Sequence, residues 1–258
     1  MYEAFPLHRI TRVSFGLVTS EHVLARSVVE VTATALYDGV RPRNGGPNDL
    51  RLGTTERVRC VTCMHDMQHC VGHTGHITLA RPQFHLGFTD LVLKVLRAVC
   101  FFCSRLLIDP VPGSDTRPKA VLAALAVRGK AVSTCPHCGG CQPTYVRSGS
   151  VVELTWAEDA PFENDDERAF ATKPFGAREA YSVLHHITDT DCMALGMDPA
   201  CSHPEHMILR HLLVPPTCIR PSVTVSDASR SRGQDDLTLK LQDIIKCNTA
   251  LGVATTEA

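Results

Sequence analysis

The sequence lacks any apolar run near the eighteen or so residues that a membrane span needs. Its start, MYEAFPLHRITRV, also lacks a basic segment followed by an apolar one, so neither a spanning helix nor an export signal is expected. An excess of either charge is missing too, since 26 Lys and Arg stand against 27 Asp and Glu, a formal net charge of -1. No global basic field therefore advertises a nucleic-acid partner, and any such contact has to be local. Internal repeats of domain size and heptad runs are absent as well. What is present, 44% hydrophobic residues in a chain of 258, suffices to bury a core in one or two domains. The chain reads as soluble and intracellular.

Cysteine, by contrast, is abundant. Twelve would suit a secreted disulfide scaffold, but in a chain of this length with no export signal reduced thiols are the better premise. Their spacing carries more information than their number. About half of one Cys-x-x-Cys is expected by chance at this frequency, yet Cys60/Cys63, Cys100/Cys103, Cys135/Cys138 and Cys138/Cys141 all have it. Two residues between thiolates let a tight turn aim both sulfurs at one ion, which is how tetrahedral zinc sites are built. Cys60, Cys63, Cys70 and His73 form one complete set, with Gly72 free to carry the second turn through positive φ. Cys100, Cys103, Cys135 and Cys138 form a second, all-sulfur set whose halves are joined by a helix-bearing insertion.

Four protein ligands close a zinc shell and leave no place for a reactive water, so both sets read as structural. Cys192, Cys201, Cys218 and Cys247 stand alone, and for them the plain alternative of small buried hydrophobes is preferred. Cys141 is awkward, because CPHCGGC offers three thiols for two places. His76 and His85 follow the first set too closely for a second site and are expected to hydrogen-bond or pack.

The elements expected around these sets are short. RITRVSFGLV at 9–18 suggests a strand, and Ser20 with Glu21 can cap a helix to about Ser27. RPRNGGPNDLRLG is a loop leading into the first set. HITLARPQFHLGF suggests extended structure broken at Pro82. Thr89 and Asp90 cap an apolar helix, LVLKVLRAV, that delivers Cys100 and Cys103. A second helix is expected over Ser114 to Val127, with Gly129 as its stop. AEDAPFENDDER at 157–168 reads as a solvated acidic loop. Ala180, Tyr181, Leu184 and Ile187 share a helical face, and Asp189 and Gly196 bracket a short helix. MILRHLLV is a strand stopped by Pro215 and Pro216. Asp235 caps a last helix with Leu237, Leu241, Ile244 and Ile245 on its apolar stripe.

The order of these parts carries a resemblance. CVTCMHDMQHCVGHTGHITLARPQFHLGF resembles the zinc-binding signature near the N-terminus of the largest subunit of multisubunit DNA-directed RNA polymerases, above all the eukaryotic messenger-RNA-making type and its large-DNA-virus relatives. VSFGLVTSEHV and NDLRLG precede it in that family's order, and CFFCSRLLID follows. CPHCGGCQP resembles the family's Cys-x-x-Cys-Gly-x-x-Gln-Pro, which favours Cys135 and Cys138 over Cys141 as ligands. DCMALGM, PEHMILRHLLVPPTCIRPSV and DDLTLKLQDIIKCN extend the resemblance over nearly the whole chain.

The resemblance implies an α+β, zinc-stabilised and irregular polymerase clamp of short strands and helices that closes over DNA and the RNA-DNA hybrid. Residues 1–200 would be the zinc-binding clamp region, and 201–258 the strand, lid loop and following helix of the clamp core. The lid, which helps part RNA from template, would fall at about Val223 to Gly233. Arg220, Arg230 and Arg232 are the local basic residues able to meet phosphate there. The implied cofactors are two structural Zn2+ on this chain and a catalytic Mg2+ elsewhere, since the family's Asn-Ala-Asp-Phe-Asp-Gly-Asp motif does not occur in this sequence. The implied partners are the remaining part of the largest subunit, the second-largest and smaller subunits, DNA and the hybrid, with no membrane. The implied place is the nucleus in a cell, or the virion or infected-cell compartment for a virus. The expectation is a nucleotidyltransferase component that makes RNA only within the assembly, as one piece of a split subunit or a truncated product. A non-catalytic zinc-binding interaction module, a relic of such a subunit, is the alternative. An independent zinc hydrolase would need an open coordination position that neither set provides.

Overall fold

The computed structural model describes all residues except 1–8, 12, 14, 56, 110–117, 150, 158–174, 225–231 and 257–258. The acidic stretch, from 158 onward, thus lies outside the described residues. The architecture is mixed and irregular, with the strands of the described residues paired only as two-stranded ladders.

Helix α1, Ser20–Arg26, is capped one residue earlier than expected: the Thr19 hydroxyl accepts from the His22 N–H at 3.1 Å. Among its described residues the strand expected before it does not form. Val13 and Phe15 alternate as a strand's would, with Ile10 out of phase, yet all three are exposed, and among the described residues no strand pairs with them. A small hairpin follows, β1 (Tyr37–Asp38) with β2 (Arg41–Pro42). Strand β3, Gly75–Phe84, then runs straight through Pro82. Proline lacks the donor that a ladder needs, and the pairing register shifts between Thr78 and Gln83 instead of ending.

Helix α2, Thr89–Ala98, buries Val92, Leu93, Val95, Leu96 and Ala98 and leaves Asp90 and Lys94 outward. Helix α3, Pro118–Gly129, returns alongside it. Gly129 ends the helix, and the contact explains the residue: a Cβ there would stand 2.2 Å from the Arg97 carbonyl oxygen. The hairpin of β4 (Thr144–Ser148) and β5 (Val151–Thr155) packs on α2 through Tyr145 and Val152. Helices α4 (Ala177–His185), α5 (Asp189–Ala194) and α6 (Pro199–Ser202) complete this part. Ala180, Leu184 and Ile187 are buried as their periodicity requires, and Tyr181 packs at the edge.

Strand β6, Ile208–Val214, pairs antiparallel with β3 and joins residues on either side of position 200. Strands β7 (Val223–Thr224) and β8 (Arg232–Gly233) pair beyond it. Helix α7, Asp236–Thr256, lies on β3, with the Asn248 side chain accepting from the Ala80 N–H at 2.7 Å and donating to the Thr78 carbonyl at 2.8 Å. Its buried stripe is turned from the expected one. Leu241 and Ile245 are buried and Ile244 partly so, but Leu237 is exposed and Thr238 takes the inward place.

Three apolar clusters result among the described residues, the smallest around the second cysteine set. The largest unites α2, α3, α4 and the β4–β5 hairpin. The next, Val29, Val31, Leu52, Ile77, Val214, Leu241 and Ile245, sits under the first cysteine set.

Candidate metal centres

The first centre is built on the loop between residues 49 and 74. Asp49 is buried and caps the 3-10 turn Leu50–Leu52, accepting from the Arg51 N–H at 2.9 Å and from its guanidinium at 2.7 Å. Burial opposes the charged form of Asp49, but the Arg51 hydrogen bonds outweigh it and hold the carboxyl below its ordinary range. On this turn the cysteine loop is hung by backbone bonds, Val61 N–H to Leu50 O at 3.2 Å and His73 N–H to Leu52 O at 3.0 Å. Cys60, Cys63, Cys70 and His73 then converge, all ligand atoms lying within 4.8 Å of one another. The Cys63 and Cys70 sulfurs are 3.6 Å apart, and Cys70 Sγ is 3.8 Å from His73 Nε2.

Gly72 has φ +81, the positive value that glycine leaves open to the turn. Its surroundings demand glycine as well, since a Cβ would stand 2.6 Å from Cys218 Sγ and 2.6 Å from Pro216 Cβ. The loop is thereby seated on the turn that follows β6.

The second centre grows from the C-terminus of α2. Cys100 leaves the helix end, and α3 brings the chain back so that Cys135 and Cys138 meet Cys100 and Cys103, again within 4.8 Å. Sulfurs of Cys100 and Cys138 are 3.6 Å apart, and those of Cys103 and Cys135 3.8 Å. Cys100 and Cys135 are buried with Leu107 in one cluster, with Val132 packed against it. Gln142 spans the centre: Oε1 accepts from the Phe101 N–H at 3.0 Å, while Nε2 donates to the Gly140 carbonyl at 2.9 Å and to Cys100 Sγ at 3.2 Å. Burial pushes the Cys100 thiol well up, beyond what its neighbouring N–H groups offset.

Three of the four Cys-x-x-Cys segments adopt one knuckle. The first cysteine's N–H bonds to the carbonyl five residues on, at 2.9 Å for Cys60, 2.8 Å for Cys100 and 2.9 Å for Cys135. Its carbonyl accepts from the residue four on, Met64 at 2.9 Å, Ser104 at 3.1 Å and Gly139 at 3.0 Å. Those three residues have φ of 59°, 58° and 74°, the left-handed turn that closes each knuckle. The fourth spacing, Cys138/Cys141, does not form one. Cys141 bridges to Thr134 as backbone, the Gln142 N–H goes to Ser133 O at 2.8 Å, and among the described residues Cys138 rather than Cys141 joins the converging set.

His76 and His85 hydrogen-bond as expected, His76 Nδ1 to the Ser27 hydroxyl at 2.7 Å and His85 Nδ1 to the Gly87 N–H at 3.1 Å. Of the lone cysteines only Cys192 is fully buried, whereas Cys218 and Cys247 are exposed.

Arg220 corrects an expectation. Only 2% exposed, it does not face phosphate. Its guanidinium donates to the Pro215 carbonyl at 3.1 Å, Asn48 Oδ1 at 3.1 Å, the Thr238 hydroxyl at 3.2 Å and the Pro47 carbonyl. It pins the loop before the first centre, the end of β6 and the start of α7 together. Burial pulls its pKa down to about 10, still high enough to keep it charged at neutral pH. Arg230 lies outside the described residues, and Arg232 lies in β8, opposite Thr224.

Comparison with known proteins places these features in a family. The family model for RNA polymerase Rpb1, domain 1, matches residues 7–258. DNA-directed RNA polymerase II subunit RPB1 of Euplotoides octocarinatus is 36% identical over 263 residues, an alignment covering 94% of this chain and 54% of that one. The chain therefore spans about half the length of this curated relative. With the match running from residue 7 through both cysteine sets to the end of α7, the chain belongs to the RNA polymerase Rpb1 family, in the region of its domain 1.

Proposed function

We propose that this chain forms the clamp and lid of a DNA-directed RNA polymerase largest subunit and serves DNA-templated RNA synthesis as a structural part of the assembly. The observation that carries this reading is the family match over residues 7–258 together with the convergence of both four-ligand sets that fall within it. Residues 1–200 act as the clamp region and 201–258 as strand, lid and helix. The β3–β6 ladder makes this a division of roles between parts that pack together.

Each set holds one zinc ion. The donor chemistry supports zinc, because three thiolates with an imidazole, or four thiolates, suit a borderline cation and exclude the hard ones. So does the geometry: zinc–sulfur bonds of about 2.3 Å set the edge of a tetrahedron at about 3.8 Å, and the sulfur separations are 3.6 and 3.8 Å. Bound zinc supplies a four-point crosslink and no reactive position. The chain's own residues do the rest: the knuckles fix the ligands, Gly72 seats the first centre on the turn after β6, and α2 with α3 align the halves of the second.

The β7–β8 pair, Val223–Thr224 with Arg232–Gly233, flanks the proposed lid and supports that reading. Arg230 and Arg232 are its candidates for backbone contacts to the hybrid, where a guanidinium meets phosphate through charge-assisted bonds. Arg220 has no such role. Catalytic Mg2+ and the aspartates that hold it belong to another part of the enzyme, so the partners are the rest of the largest subunit, the second-largest and smaller subunits, DNA and the RNA-DNA hybrid. Among the described residues no helix is long and apolar enough to cross a membrane.

The deciding experiment purifies the tagged chain from its native source, identifies what accompanies it, and assays transcription on a tailed template with the chain present or omitted. Polymerase subunits and chain-dependent synthesis are expected. Equal transcription without the chain would overturn the subunit role in favour of a non-catalytic zinc module.

A further inference from the structure

We propose that Gln142 is a positioning residue of the second metal centre, whose side-chain amide holds the Cys100 sulfur and makes that ligand slower to leave and slower to react. The inference rests on the reading that the second set binds metal. It goes further in giving one uncharged, non-ligating side chain control over the centre's lability.

The orientation of the amide follows from its neighbours. The Phe101 N–H can only donate, so the group 3.0 Å from it must be the carboxamide oxygen. The opposite end is then the NH2, and it faces two acceptors, Gly140 O at 2.9 Å and Cys100 Sγ at 3.2 Å. Reversing the amide would set donor against donor at Phe101 and leave both acceptors facing an oxygen. The side chain therefore has one arrangement that satisfies every group it touches.

That arrangement crosses the centre. Gln142 follows the second knuckle, while Cys100 and Phe101 open the first, so one amide ties the two halves that α3 brings together. Cys100 Sγ also receives the backbone N–H groups of Phe102 at 3.4 Å and Cys103 at 3.5 Å. Those two come with the knuckle itself, whereas the Gln142 contact is the shortest of the three and is set by a side chain. Hydrogen-bond donation to a thiolate draws charge from the sulfur, which weakens its attack on electrophiles and its uptake of a proton, the events that begin ligand loss. Removing such a partner of a ligand typically costs about 10- to 100-fold in metal affinity.

The test uses the full chain and two substitutions of similar length, Gln142→Met, which removes donor and acceptor, and Gln142→Glu, which sets a carboxylate against the sulfur. Zinc content is measured first, and the parent is expected to carry two ions. Release to a chromophoric chelator is then followed, with N-ethylmaleimide labelling of each cysteine mapped by mass spectrometry. A cobalt-substituted sample reports the sulfur-to-metal charge-transfer band. In both variants one ion should leave roughly tenfold faster, Cys100 should label correspondingly faster, and the band should move to lower energy. Release from the first centre should not change. Should Gln142→Glu fail to fold, Gln142→Met decides alone. Release, labelling and band within about twofold of the parent would overturn the inference, as would equal acceleration of both centres, which signals general loosening. A parent carrying fewer than two ions would sink the metal reading itself, a failure seen before any variant is made.

Discussion

Around the first metal centre Val61, Met64, Met67 and Val71 are all exposed, whereas the second draws Cys100 and Cys135 into a cluster with Leu107 beside the largest core. The knuckles are the same, so the contrast comes from what the chain does between them. The first set is closed within fourteen residues, Cys60 to His73, and encloses only a loop, although Cys60 itself is buried. The second spans thirty-nine, Cys100 to Cys138, and encloses α3, so closing it also packs a helix. One four-residue arrangement thus closes a local loop in one place and reaches into the core in the other.

The largest test of this contrast is loss of a ligand. Cys100→Ser should forfeit metal and loosen α3 and the β4–β5 hairpin with it, lowering the main thermal transition by about 10 °C or more. Cys63→Ser should free the loop at 57–73 and leave that transition within about 3 °C. Calorimetry with hydrogen exchange on peptides of α2 and α3 reads both, and a chelator should strip the first centre before the second. Equal shifts, or the reverse order of stripping, would erase the distinction.

If the first centre is only a clip, the core beneath it needs another fastening, and Arg220 provides one. Arg220→Ala would leave two backbone carbonyls, Asn48 and Thr238 without their donor in a buried place. The expected cost is about 3 kcal/mol by denaturant unfolding, with zinc content unchanged. A loss below about 1 kcal/mol would mean that water replaces the guanidinium.

Arg220 also marks where the sequence ceases to speak. The two converging sets could be read because a knuckle is made by neighbours, so the spacing itself brings the side chains together. Arg220 sits in CIRPS, which says turn and solvent, while its partners Pro47 and Asn48 are over 170 positions away. Nothing local announces them. The hairpin of TYVRSGSVVELT did carry a local signal, alternation about a Ser-Gly-Ser centre, which the pull of the cysteines overshadowed. Val13 and Phe15 show the converse, since alternation without a pairing partner does not make a strand. Leu237 belongs with them: periodicity names a face, and Arg220 reaching Thr238 decides how that face is turned.

Glycine substitution sharpens the contrast at a smaller scale. Gly72→Ala meets Cys218 Sγ and Pro216 Cβ, both 2.6 Å from the added carbon, in addition to the strain of φ +81. The turn or the loop must move, at an expected cost of about 2 kcal/mol and with faster zinc release from the first centre alone. A neutral result would show that the loop is not seated where the backbone places it.

The smallest effect isolates the knuckle from its setting. Gly139 has φ +74, and a Cβ there would meet nothing within 4 Å, so Gly139→Ala tests the left-handed turn with no packing change. It should cost about 1 kcal/mol. Met64 holds the matching place in the first centre with φ 59 and a largely exposed side chain. Relieving the same strain, Met64→Gly should slow zinc release from that centre, the gain being reduced by the greater freedom of glycine in the unfolded chain. Ser104, with φ 58, allows the comparison inside the second centre. If Ser104→Gly and Met64→Gly slow release by similar factors, the knuckle is an independent unit and the difference between the centres lies wholly in what surrounds it. A gain at one and a loss at the other would mean that the setting reaches into the turn itself.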